Sequence, residues 1–206
     1  LPAGSAPKRR RPEGIPVAGG DFSDVRGRAA RAEGPLEMLS HLHARTLQHC
    51  EALRQLVLRL EECGCDEQSR RAAASVLRYF DVCASQYCSD EEEDLFPALL
   101  ESMAGSDAVC LRDLTSAMAQ QHRTLEMMWQ RLRKPLAAAA AGKPAAPERG
   151  SVDVFVALYR SHIEREQIEL LPMAARLLTD DALGQVASSM RKRHSVTSLS
   201  PLRARH

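Results

Sequence analysis

Aromatic residues make up only 4% of this 206-residue chain. Val, Ile and Thr are sparse beside Ala, Leu, Glu, Arg and Gln. Sheets are built from aromatic and β-branched residues, so their scarcity argues against a β-rich fold and for helices. No apolar run approaches the roughly 18 residues that a membrane-spanning helix needs, and no membrane association is expected. Lys8-Arg9-Arg10-Arg11 is followed by Pro12, Glu13 and Gly14 rather than an apolar stretch, so no secretory leader is read there. Six cysteines, at 50, 63, 65, 83, 88 and 110, make no disulfide framework in a chain of this length. Without export signals they are expected to be reduced, in the cytoplasm. Cys63-Gly64-Cys65 has the spacing of half a zinc site but no second pair, and an incidental role is the preferred reading.

Charge is plentiful and unevenly spread. The chain carries +1 overall, but residues 1–35 hold seven Lys/Arg against four acids, and residues 190–206 hold five against none, which leaves −7 on the body between them. Residues 1–35, rich in Pro, Gly, Ala and Arg and without a hydrophobic period, are read as a disordered basic tail. Residues 194–206 are read as a second basic tail. Solvated tails are preferred to a nucleic-acid interface, and a protein partner or a second copy of the chain stays open.

Between the tails, residues 36–193 show helical periodicity throughout. A first helix of about 26 residues opens at Pro35 and places Leu39, His43, Thr46, Cys50, Leu53, Val57 and Leu60 on one side before Gly64 stops it. A second runs from about Glu67 to Met103, with Leu77, Phe80, Ala84, Cys88, Glu92, Leu95 and Leu99 inward and a bend expected at Pro97. Ala104-Gly105-Ser106-Asp107 reads as a turn and N-cap. The third helix turns Leu111, Leu114, Met118, His122, Leu125/Glu126, Trp129 and Leu132 inward and is expected to end at Pro135. Residues 136–150 read as a linker or frayed extension. Ser151 then caps a fourth helix with Phe155, Tyr159, His162, Glu166, Leu170, Met173 and Leu177 inward, and Glu-Leu-Leu-Pro172 echoes Asp-Leu-Phe-Pro97. A short last helix covers about Asp181–Lys192. Four long helices with short joins predict an all-α, up-down-up-down four-helix bundle with a short fifth helix.

The informative residues are polar ones at positions where the period asks for apolar side chains: His43, Cys88, Glu92, His122, Glu126, His162 and Glu166. An ionised carboxylate in a dry core is very costly unless something neutralises it. Three carboxylates, three imidazoles and a thiol converging from four helices are explained by bound cations; oxygen and imidazole donors suit iron, manganese or zinc. A single His-x-x-x-Glu is ordinarily a solvated pair contributing about 0.2–0.5 kcal/mol. Here two such pairs, a Cys-x-x-x-Glu and a lone His all fall on core stripes, which favours the metal reading. His41 and His49 fall off the stripe and are read as surface residues. Glu91, Glu93 and Asp94 read as a solvated face, with Glu91 close enough to the seam to serve as a reserve ligand. Tyr87 and Tyr159 are read as hydrogen-bond donors beside the centre or as core packing.

Taken together, these elements resemble the hemerythrin-like (HHE cation-binding) domain: His43 on the first helix, a metal-binding residue and Glu ahead of Leu-Phe-Pro on the second, His122 on the third, and His162-x-x-x-Glu166 ahead of Leu-Leu-Pro on the fourth. The resemblance covers about residues 36–193. It implies two iron ions bridged by carboxylates and an oxygen species, and a protein that binds dioxygen or responds to oxygen, iron or nitric oxide. Two departures stand out. Cys88 is read at a position where the family has His, and Glu126 stands where oxygen-carrying hemerythrins have a second His on the third helix. The latter resembles the carboxylate-richer iron-sensing members. Cys88 is open to three readings: a ligand, a thiol facing a vacant coordination position, or an inert neighbour of a weakened site.

Three functions compete on this basis. The first is a dinuclear-iron binding protein that senses oxygen, nitric oxide or redox state. The second is an enzyme of the oxidase, peroxidase or nitric-oxide-processing kind using the Cys-containing site. The third is a metal-free or zinc-bound interaction bundle. The first is preferred, because the resemblance supports binding more directly than any reaction.

Overall fold

The structure, a computed structural model, describes residues 34–102 and 107–199. The expected N-terminal tail up to residue 33, the turn at 104–106 and the last residues of the C-terminal tail lie outside the described residues. Everything described as regular structure is helical. Helix α1 spans Pro35–Cys63. A second rod follows as α2 (Glu67–Arg78), a wide π-helical turn π1 (Tyr79–Ala84), α3 (Ser85–Asp90), a second wide turn π2 (Glu91–Leu95) and α4 (Phe96–Glu101). Helix α5 (Asp107–Ala140) is the third rod. The fourth is α6 (Arg149–Arg165), π3 (Glu166–Leu170) and α7 (Leu171–Leu177), and α8 (Asp180–Leu199) closes the chain. No described helix is long and apolar enough to cross a membrane.

The rods alternate in direction, as two apolar clusters make plain. One gathers Leu39 from the start of α1, Leu95 and Leu99 from the end of the second rod, Leu111 and Met118 from the start of α5, and Leu170 and Ala174 from the end of the fourth rod. The other gathers the opposite ends: Leu53 and Leu60, Ala73 and Phe80, Trp129 and Leu136, Val152 and Phe155. α1 packs on α2 and α6, and α5 packs on the same two, so the rods form a closed ring. This is the expected all-α, up-down-up-down bundle. Burying about 25 cal/mol per Å² of apolar surface at both ends drives the assembly and leaves a polar layer held between two dry clusters.

Local chemistry accounts for the breaks. Gly64, at φ 71°, ends α1, its N–H closing on the Leu60 carbonyl at 3.1 Å. Asp66 caps α2 by accepting from the Ser69 N–H at 2.7 Å. The proposed Ser151 cap is not used: Glu148 holds the N-cap position of α6, and Ser151 instead donates its hydroxyl to Glu148. Pro135 does not end the third helix. The carbonyl it strips of a partner belongs to exposed Arg131, where water can satisfy it, while Leu136 and Ala139 beyond it are buried in the core. Residues 136–140 are therefore helix rather than linker, and the reversal comes at Gly142, at φ 78°. Helix α8 runs on to Leu199, past the expected Lys192.

The wide turns set the register. A pure α-helix drifts by about 40° for each four-residue step; a wide turn absorbs an extra residue and cancels that drift. On the second rod one buried series accordingly steps by fours, through Tyr79, Cys83, Tyr87, Glu91, Leu95 and Leu99, with Phe80, Ala84, Asp90 and Phe96 buried beside it. On the fourth rod the matching series is His162, Glu166, Leu170, Ala174 and Leu178, with Ile163 and Leu171 buried beside it. For this reason Cys88 and Glu92 on the expected second stripe, and Met173 and Leu177 on the expected fourth, are displaced, while Phe80, Ala84, Leu95, Leu99 and Leu170 lie in the core as expected; Cys88 and Met173 are half-buried and Glu92 is exposed.

Candidate metal centre

Glu91, His122, His162 and Glu166 are all buried and each offers a donor atom within 4.8 Å of the others. The turns just described place the two glutamates, while His122 and His162 sit on regular α-helix. Glu91 opens π2, whose wide bond runs from the Phe96 N–H to the Glu91 carbonyl. Glu166 opens π3 with the matching bond from the Leu171 N–H. Each turn ends beside a proline, Pro97 or Pro172, which removes one ordinary helical donor and so favours the wider bonding.

The two imidazoles are held from behind. His122 donates Nδ1–H to Glu92 Oε1 at 2.6 Å, and His162 donates Nδ1–H to Gln121 Oε1 at 2.9 Å. With both Nδ1 atoms committed, each ring turns its Nε2 inward, and the two Nε2 atoms lie 2.9 Å apart. Two ring nitrogens facing each other at this distance need a positive charge with them, either a proton or a metal ion. Around them, His162 Nε2 is 2.7 Å from Glu166 Oε1, and His122 Nε2 is 3.2 Å from Glu91 Oε2 and 3.8 Å from Glu166 Oε1. On the other side of the same carboxylate, Glu166 Oε2 is 3.1 Å from His43 Nε2 and accepts a very short hydrogen bond from the Tyr87 hydroxyl. The Tyr87 hydroxyl is also 2.9 Å from His43 Nε2.

Electrostatics and geometry agree. Both oxygens of Glu91, Glu166 Oε1 and His43 Nδ1 are buried without an aligned hydrogen bond. Burial, reinforced by the Glu166 charge, pushes the Glu91 carboxyl well above the usual range. Burial works in the same direction on Glu166, but His122, His162 and His43 outweigh it and hold that carboxyl low. Burial, with Glu166 and Glu91 close by, also keeps the Tyr87 phenol protonated far above its ordinary value. Desolvation opposes charge on His122, yet Cys88, Glu166 and Glu91 prevail and raise it. Orphaned buried carboxylate oxygens and converging imidazole nitrogens are the donor set that a hard or borderline cation neutralises, displacing any proton held among them, so these residues fit a metal.

The residues singled out in the sequence divide. His43, His122, His162 and Glu166 meet in the core. Glu92 is 37% exposed and orients His122 from the rim rather than facing the centre; Glu91, the reserve, takes the inward place. Glu126 is exposed, accepts a hydrogen bond from Gln130 at 2.6 Å and does not join the buried cluster. Cys88 is half-buried with its thiol beside His122, and desolvation raises its pKa. His41 is exposed, as expected. His49 is not a surface residue: it is buried, stacked on Tyr79 with ring centroids 3.7 Å apart, and burial lowers its pKa. Cys63 and Cys65 lie apart from the centre, Cys65 donating to the Lys143 carbonyl at 2.9 Å.

Periodicity alone does not mark Glu91, Tyr87 and Gln121 as inward or orienting groups, although a signal for the first two is present. Glu91-x-x-x-Leu95-Phe96-Pro97 and Glu166-x-x-x-Leu170-Leu171-Pro172 have identical spacing. Counting back four residues from each Glu reaches His162 in one and Tyr87, not Cys88, in the other. Gln121 carries no pattern that marks it.

A search of curated proteins finds no match to the chain. The family model described as the hemerythrin HHE cation-binding domain matches residues 23–174. That span contains the buried carboxylate–imidazole centre and the helices of all four rods up to α7, and with the up-down bundle it shows that the chain belongs to the hemerythrin HHE cation-binding domain family.

Proposed function

We propose that the chain is a non-haem dinuclear-iron protein whose core centre binds or senses dioxygen, nitric oxide or redox state. The observation that carries this reading is the two-sided engagement of Glu166. One oxygen faces His162 and His122, and the other faces His43 and Tyr87. A carboxylate engaged in this way would be able to serve two cations, one from each oxygen. Glu91, His122 and His162 would serve one position, His43 the other, and Glu166 both. Oxygen and imidazole donors favour iron, and manganese or zinc can use the same set. Bound iron supplies open coordination positions and reversible one-electron chemistry.

The protein's own contribution is orientation and dryness. Glu92 and Gln121 fix the tautomers of His122 and His162, so that Nε2 is the donor atom in each. Leu95, Met118 and Leu170 on one side and Leu125, Tyr159 and Ile163 on the other exclude water. The surface grooves flanked by Leu36 and Ala175, and by Glu93 and Ser189, are lined by none of the core donors. This supports a small diatomic ligand over a bulky substrate. The second reading, an oxidase-, peroxidase- or nitric-oxide-processing enzyme, is favoured by one feature: Cys88 places an oxidisable thiol beside His122.

Anaerobic purification followed by metal analysis, visible spectroscopy before and after dioxygen or nitric oxide, and peroxide or nitric-oxide consumption assays tests both. About two iron ions per chain with a reversible spectral change supports the first reading. Sustained consumption of either compound moves the assignment to the second. A protein that takes up no iron and gains no thermal stability when iron is added refutes both.

A further inference from the structure

We propose that Tyr87 is itself a metal ligand, its phenolate oxygen completing the half of the centre that holds His43 and Glu166. This rests on the cation-binding reading of the same core and assigns a donor beyond the His and carboxylate set. The position argues for it first. Tyr87 stands four residues before Glu91 as His162 stands four before Glu166, each Glu opens a wide turn, and each turn leads into Leu-x-Pro. The register that points His162 inward points Tyr87 inward too.

Its surroundings argue for it next. The Tyr87 ring is 1% exposed, and its oxygen meets His43 Nε2 and Glu166 Oε2, which themselves lie 3.1 Å apart. Three donor atoms from three rods therefore form one tight triangle. Tyr79, two turns earlier on the same rod, shows what a purely structural buried tyrosine does here. Its hydroxyl is matched by neutral groups, Thr46 Oγ1 at 2.6 Å and the Leu42 carbonyl at 3.4 Å. Tyr87 instead meets only groups that ligate metals.

Without a cation, the phenol donates its proton to Glu166. On ligation the O–H bond breaks, the proton passes to solvent as binding releases it, and an oxygen lone pair forms the bond to the metal. No electron is transferred. A phenolate is a hard anionic donor, so this half of the centre should hold a ferric ion in preference to softer divalent ions.

The test uses the full chain, loaded anaerobically with ferrous iron and then oxidised in air. Iron per chain is measured, and visible and resonance Raman spectra are recorded. Wild type should show a phenolate-to-ferric charge-transfer band with enhanced tyrosine ring modes. Tyr87→Phe should lose both, while Tyr79→Phe and Cys88→Ala keep them. Tyr87→His should keep the iron content of wild type and lose the band. Iron-loaded wild type without ring modes, or a band that survives in Tyr87→Phe or Tyr87→His, overturns the ligand and leaves the cation-binding reading standing. Wild type that binds no iron overturns both. The wild-type Raman spectrum decides the question even if neither Tyr87 variant folds.

Discussion

The second and fourth rods carry the same device with one substitution between them. Both open a wide turn on a core glutamate, both close it before a proline, and both carry a buried series that steps by fours through that glutamate. Four residues before the glutamate, however, the fourth rod has His162 and the second has Tyr87. The charge environments differ as well: Glu166 is held low by three imidazoles, while Glu91 faces one and is driven up by burial. The second rod is clasped from outside by Arg193 and His194 of α8, which reach the fully buried Asp90. A shared backbone device thus fixes where donors sit, and the individual side chains decide what each half of the centre can hold.

The largest break in this comparison should come from Glu166→Ala. Because both halves draw on Glu166, this variant should lose more affinity than the roughly 10–100-fold expected for an outer partner and should emerge with neither ion. Glu91→Ala should retain some metal through His43 and Glu166. Metal analysis of the two variants side by side checks the asymmetry, and equal losses would contradict it.

Arg193→Met removes a guanidinium from Asp90 and Asp94 and leaves His194 as a remaining partner of a buried carboxylate. A cost of about 2 kcal/mol is expected, below the full penalty for an abandoned buried charge. Urea unfolding with an unchanged m-value would measure it. The fourth rod offers no equivalent target among the described contacts.

Glu92→Ala should weaken metal affinity by about 10–100-fold through the loss of His122 orientation, with the bound-state spectrum little changed. Gln121→Ala should do the same through His162. Competition titration with a chelator reads both; a collapse of the spectrum instead of an affinity loss would make Glu92 a ligand.

The smallest effect concerns how the two rods begin. Asp66 caps the second rod, whereas Glu148 makes no side-chain cap bond on the fourth. Asp66→Ala should cost about 1 kcal/mol, and Glu148→Ala much less. Hydrogen bonds from Arg59 and the Ser69 N–H hold the Asp66 carboxyl down to about 2. Its folded pKa lies below its unfolded value of about 3.9. Its stabilisation is therefore complete above that value and lost as pH falls toward 2. Wild type and Asp66→Ala should converge in stability across that acid range.

Much of this is legible in the chain alone because it depends on local periodicity. His43, His122 and His162 sit on regular α-helical stretches, where a 3.6-residue period is reliable, and each lies in the core. On the second rod Cys88 falls between two wide turns and Glu92 inside the second of them, where that period no longer applies. Glu126 can be read one position either side of Leu125, and packing chooses Leu125 for the core. His49 looks like a surface residue until the Tyr79 ring supplies a stacking partner from another rod.

Helix propensity and apolar spacing act over a few residues, so the order of amino acids was enough to specify an all-α bundle, its four long rods and acids and imidazoles along their inner faces. Packing of the rods was needed to turn Glu91 rather than Glu92 inward, to bring Tyr87 to His43 and Glu166, and to carry α5 through Pro135. Those outcomes depend on how much surface each register buries against other rods and on whether a stripped carbonyl faces water or core. That balance exists only once the four rods have closed on one another.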